Sequence, residues 1–174
     1  MKKILFILML LSSLLLHAQK IEKDIIDEFT KQRTIYTSWV KVDKGSMKFR
    51  FISIDNSVCL EYRYQSNHVI AIDKGAELLF IESYNNDVHK LTNIEYAIAS
   101  IGGGATGFAG SNGLGIRTKY VGDISFFKNN LKKMRIYTTD GYIDKEISAD
   151  EAINLQKLYK IFTKTLSIDC TNKK

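Results

Sequence analysis

Proline is absent from all 174 residues. Ser-rich linkers, low-complexity tracts and internal repeats are missing too, so nothing marks an internal domain boundary. Cysteine is scarce: Cys59 and Cys170 are the only two, which leaves room for one bridge at most. The catalytic signatures are also missing. There is no P-loop ending in Gly-Lys-Ser/Thr, no Gly-x-Ser-x-Gly elbow, and no His-x-His or Glu-x-x-His spacing. Function therefore cannot be read from a phosphate cradle, an esterase nucleophile or a metal-ligand pair. Glu77 and Glu82, the acidic pair weighed for glycoside cleavage, read as solvated strand residues.

What is present begins at the N-terminus. Lys2 and Lys3 precede an uncharged run, Ile4 to Leu16, in which only Ser12 and Ser13 are polar. A membrane-spanning helix needs about 20 apolar residues, so this run is too short to cross. A basic start, a short apolar core and a small residue at the cut describe a secretory signal, with residues 1–18 removed after Ala18. Export to the periplasm or the extracellular space follows, and residues 19–174 then form one domain ending in a short polar tail. No transmembrane segment is expected after the signal is removed.

The chain is 45% hydrophobic and 25% charged, ordinary for a folded domain. Two of the 25 basic residues fall in the leader, which leaves 23 against 19 acidic ones and a net charge near +4. That mild excess favours anionic partners. In an exported chain Cys59 and Cys170 form a candidate disulfide that would pin the tail to the sheet.

Local patterns predict mostly strands. Ile21, Ile25 and Phe29 recur every four residues and predict a short N-terminal helix over 21–30. β-formers follow at Thr34–Val42 and Met47–Ile54. Val58, Leu60, Tyr62 and Tyr64 alternate with Cys59, Glu61 and Arg63, a half-buried strand. Val69–Ile72, Glu77–Tyr84 and Asn93–Ser100 continue the series, and Leu114, Ile116, Thr118 and Tyr120 alternate again. Asp123 can cap a short helix. Lys132–Thr139 and Tyr142–Ile147 are strands joined at Asp140-Gly141, suited to a type I′ turn. Ser148 and Glu151 make a capping box, and Ala152, Leu155, Leu158, Phe162 and Leu166 form the stripe of the last helix. Short turns without long crossovers imply an α+β fold: a mainly antiparallel curved sheet, a meander of seven to nine strands, with the N-terminal and C-terminal helices packed on it.

Three groups are candidate sites. Residues 102–115 hold seven of the eleven glycines, and Gly103, Gly104, Gly107 and Phe108 are candidate ligand or partner contacts. Arg63, Arg117, Lys119, Lys133 and Arg135 occupy polar parities of predicted strands. If those strands are neighbours they form a basic face, and Arg117, Lys119 and Arg135 are its candidate contacts. Asp87 and His89, with Glu95 nearby, are conceivable as acid–base or metal groups, but a polar loop explains them as well.

Three stretches carry a resemblance: Asp27-Glu28-Phe29-Thr30, Thr37-Ser38-Trp39, and Arg135 to Tyr142 ahead of the last helix. In these the chain resembles small exported bacterial α+β proteins of unknown function. That resemblance implies export and an α+β domain, and no catalytic residue. Together these features describe a non-enzymatic exported binding module, with an envelope protein or an anionic envelope component as its partner. No cofactor, metal or nucleic acid is expected. A small exported hydrolase acting on an envelope polymer and a soluble carrier of an apolar ligand are the alternatives.

Overall fold

The computed structural model describes residues 19–55, 57–66, 68–101 and 114–171, without the side chains at 101 and 168–171. The leader and most of the glycine-rich segment, with Gly103, Gly104, Gly107 and Phe108, lie outside these residues. The described chain is mostly antiparallel sheet with one C-terminal helix.

The strands in chain order are β1 (Ile21–Ile26), β2 (Arg33–Thr37), β3 (Val40–Val42), β4 (Met47–Ile54) and β5 (Ser57–Ser66). Then come β6 (Ala71–Ile72), β7 (Glu77–Glu82), β8 (Val88–Asn93), β9 (Ala97–Ile98) and β10 (Ser100–Ile101). After the glycine-rich segment follow β11 (Leu114–Val121), β12 (Leu131–Thr138), β13 (Gly141–Glu146) and the helix α1 (Ala149–Thr171). The main sheet has eleven strands, in the order β1-β2-β4-β5-β11-β8-β7-β12-β13, with β3 on β4 and β10 on β11. β6 and β9 form a separate pair.

This is not the simple meander expected, nor is the sheet curled. Local hairpins β4–β5 and β7–β8 are joined by β11, which arrives from later in the chain, and β1 and β13 remain open edges. The N-terminal helix is absent: residues 21–26 are strand β1. The unpaired ladder of β2 offers backbone partners that a lone short helix lacks. Asp27 then reinforces the hairpin tip. Its Oδ1 accepts from Phe29 N at 2.9 Å and Thr30 N at 2.7 Å, and such local side-chain bonds compete with helix continuation. Arg33 clamps Asp24 across the hairpin with two bonds of 2.6 Å.

Alternation decides the core. Phe49, Phe51, Leu60, Tyr62, Ile116 and Tyr120 lie on one face and are fully buried. α1 packs on that face: Phe162 stacks on Phe51 with centroids 5.3 Å apart, and Leu155 and Leu158 are buried beside it. The capping box forms as the sequence predicts, with Ser148 N donating to Glu151 Oε2 at 2.9 Å. The hairpin turn shifts by one residue. β12 and β13 close at Thr138 opposite Gly141, because Thr139 N is drawn to Ala71 O at 2.9 Å.

Candidate functional site

The break between β2 and β3 organises the outer face, the side of the sheet away from α1. β2 pairs with β4 along Ile52–Ile54 and β3 along Met47–Phe49. Thr37 bridges the interruption, its Oγ1 accepting from Phe51 N at 2.9 Å. Trp39 sits in the gap and meets the outer-face cations of β4 and β5. The Arg50 guanidinium carbon is 4.6 Å from the ring centroids of both Tyr36 and Trp39, and that of Arg63 is 4.2 Å from Trp39. Such contacts are worth about 0.5–2 kcal/mol each and fix the guanidinium planes.

Beneath them Glu61 is fully buried. Its two oxygens accept from Arg50 Nε and Arg117 Nε. Arg50 also approaches Glu22 at 3.6 Å. An open groove of about 690 Å³ runs from β1 and β2 across to β4 and β5, and Lys48, Arg50 and Arg63 line it together with Glu22 and Tyr36.

Register explains the charge of this groove. Lys41 is directly opposite Lys48, Lys48 opposite Arg63, and Arg63 opposite Arg117. Four cations therefore form one row across β3, β4, β5 and β11. Like charges directly opposite destabilise a sheet. The ionisation of the two middle members registers this crowding. Burial pulls the Lys48 ammonium below its ordinary value, and Lys41 and Arg63 add to the shift. Burial likewise lowers Arg63, and Arg117 adds to it. The next row alternates instead: Glu61 lies between Arg50 and Lys119.

The expected basic face is thus divided. Arg63, Arg117 and Lys119 come together on β5 and β11. Lys133 and Arg135 do not join them, because β8 and β7 stand between β11 and β12. On β12 the cations face carboxylates: Lys133 is opposite Glu146 and Arg135 opposite Asp144. Arg135 binds Asp144 through Nε at 2.6 Å and a second nitrogen at 2.8 Å, and lies 3.9 Å over the Tyr142 ring. Lys119 is also partly engaged, 3.9 Å from Glu95.

Lys41, Lys48, Arg50, Trp39 and Glu61 were not singled out from sequence. The usable signal was the shared parity of Lys48 and Arg50 on one strand and of Glu61 and Arg63 on the next. Cys59 faces the same outer side and is buried there, and burial pushes its thiol up to about 11. The candidate pairing with Cys170 lies outside the described side chains.

Asp87, His89 and Glu95 do not converge. His89 Nε2 is 2.7 Å from Glu82 Oε1, and its ring stacks on Phe126 with centroids 4.6 Å apart. Glu82 also accepts from Asn129 at 2.6 Å, and that bond is the first cause holding its carboxyl below the ordinary value. Asp87 instead bonds Asn85. Among the described residues, no three His, Cys, Asp or Glu side chains gather to hold a metal, and no helix is long and apolar enough to cross a membrane.

No protein-family model matches the chain, and neither a curated protein nor a solved structure matches it.

Proposed function

We propose that this protein is an exported binding module that captures an anionic component of the cell envelope on the outer face of β3, β4, β5 and β11. One observation carries the reading: the cross-strand row Lys41–Lys48–Arg63–Arg117, in which each residue stands directly opposite another cation. Each such pair costs about 0.2–1 kcal/mol in the free protein. A bound anion would offset that repulsion, which favours a negatively charged partner on this face. Export rests on the leader read from residues 1–18.

Binding rather than turnover suits the chemistry. Both oxygens of Glu61 already accept from guanidinium groups, so the carboxylate buried beneath the groove serves as a scaffold. Tyr36 and Trp39 hold Arg50 and Arg63 in place before any ligand arrives, which lowers the ordering cost of binding.

The test compares two double variants with the same change in net charge. Lys41→Gln with Lys48→Gln should elute from immobilised heparin at clearly lower salt than wild type. Lys133→Gln with Arg135→Gln should elute with wild type. Equal shifts for both would reduce the effect to net charge and overturn the assignment.

A further inference from the structure

On the helix side of the sheet, away from the outer face, we propose a separate site that takes a dianionic phosphate monoester. It lies between α1 and the 3-10 turn Ser125–Lys128. Gln156 of α1 ties the two together. Its Nε2 donates to Lys128 O at 3.3 Å and to Asn130 Oδ1 at 2.9 Å. The open groove they frame measures about 400 Å³, and Lys128, Lys157 and Lys160 line it with Ile153 and Tyr159. That volume suits a small molecule.

All three lysines are exposed, and among the described residues none of them forms an ion pair. Lys157 and Lys160 are one helical turn apart, a spacing at which like charges repel. No Asp or Glu lies three or four residues from either one, so α1 offers them no partner. Asp123 and Glu82 act on Lys128 through space. Asp123, however, binds Ser125 through both oxygens, and Glu82 binds His89 and Asn129. On the outer face Glu61 and aromatic rings hold the guanidinium groups; here the ammonium groups are open to solvent.

The donor set selects the ligand. Arginine forks match planar carboxylates, whereas an ammonium is a point charge with three donors and rewards charge density. Three of them around one groove suit a compact group with three terminal oxygens and a charge of about −2. Ile153, 42% exposed, and the Tyr159 ring supply an apolar flank that suits a ring or hydrocarbon body.

Titration calorimetry with phenyl phosphate and phenyl sulfate at pH about 8 tests the proposal. The phosphate should bind about tenfold tighter than the sulfate, which has the same body and one charge fewer. Its affinity should fall as pH drops through about 6, where the dianion takes up a proton. Lys157→Gln with Lys160→Gln should weaken it by about tenfold or more. Lys41→Gln with Lys48→Gln, on the outer face, should leave it unchanged. Phosphatidylcholine vesicles with and without phosphatidic acid separate the two sources of such a group. Sedimentation with the phosphatidic acid vesicles, lost in the Lys157 and Lys160 variant, assigns a lipid headgroup. Binding of phenyl phosphate without sedimentation assigns a soluble monoester. Equal affinity for the two esters, wild-type affinity in the Lys157 and Lys160 variant, or neither ester binding and no sedimentation overturns the site. None of these results bears on the outer face, which the heparin comparison tests separately.

Discussion

The outer face of the sheet carries two cation-rich ladders built on opposite rules. At β12 and β13 each cation meets a carboxylate: Lys133 faces Glu146 and Arg135 faces Asp144. At β3, β4, β5 and β11 each cation in the row meets another cation. The first ladder is complete in the free protein. In the second, the carboxylate comes from the adjacent row, where Glu61 accepts from Arg117. Two ladders of similar composition thus acquire different electrostatic surroundings from register alone.

The largest expected effect comes from breaking the scaffold of the cation-rich side. Glu61 is fully buried between Arg50 and Arg117. Removing one partner of a buried charge cluster costs about 3–5 kcal/mol. Arg117 retains 36% of its side-chain exposure, which puts Glu61→Gln at the lower end, about 3 kcal/mol. Urea unfolding should show this as a fall in midpoint with unchanged slope. A loss below about 1 kcal/mol, the range of an exposed ion pair, would mean that Glu61 does not organise the face.

The compensated side should respond more weakly. Arg135→Gln should lower the urea midpoint less than Glu61→Gln does, because its bidentate pair with Asp144 is partly exposed and screened by solvent. It should leave polyanion affinity unchanged.

The smallest effect is in pH. The Arg135 guanidinium, and then Lys133, hold the Asp144 carboxyl down at about 2, against 3.8 ordinarily. Between those values the unfolded state binds more protons, so stability falls as pH drops through this window. The advantage of wild type over Asp144→Asn should be steady above pH about 4 and shrink towards pH about 2. Solvent exposure screens the pair and keeps the change small. An unfolding series across that range that leaves the two proteins parallel would remove the ion pair as the cause.

Much of the fold was legible locally. The alternation of Val58–Tyr64 and of Leu114–Tyr120 marks two half-buried strands because side-chain direction depends only on neighbours along the chain. Ser148 and Glu151 announce α1 for the same reason. The i, i+4 recurrence of Ile21, Ile25 and Phe29 misled because periodicity is silent about a waiting sheet edge, and β2 provides one. The site was less legible, since it depends on register between distant segments. Arg63 and Arg117 are opposite each other only because β11 returns beside β5. Polar parity alone grouped Arg135 with them, and two intervening strands separate it. Trp39 gave no sign of its place, because the interruption between β2 and β3 appears as one continuous run of β-formers.

One exposed residue tests the account most directly. Lys41→Glu turns a like pair with Lys48 into an opposite pair without touching the core. Its unfolding free energy and its affinity for an acidic polymer should be measured on the same preparation. Stability should rise by about 0.5–1 kcal/mol, while affinity falls. A variant that loses stability, or that gains stability and binds the polymer as wild type does, would contradict the claim that the row is held in repulsion to receive an anion.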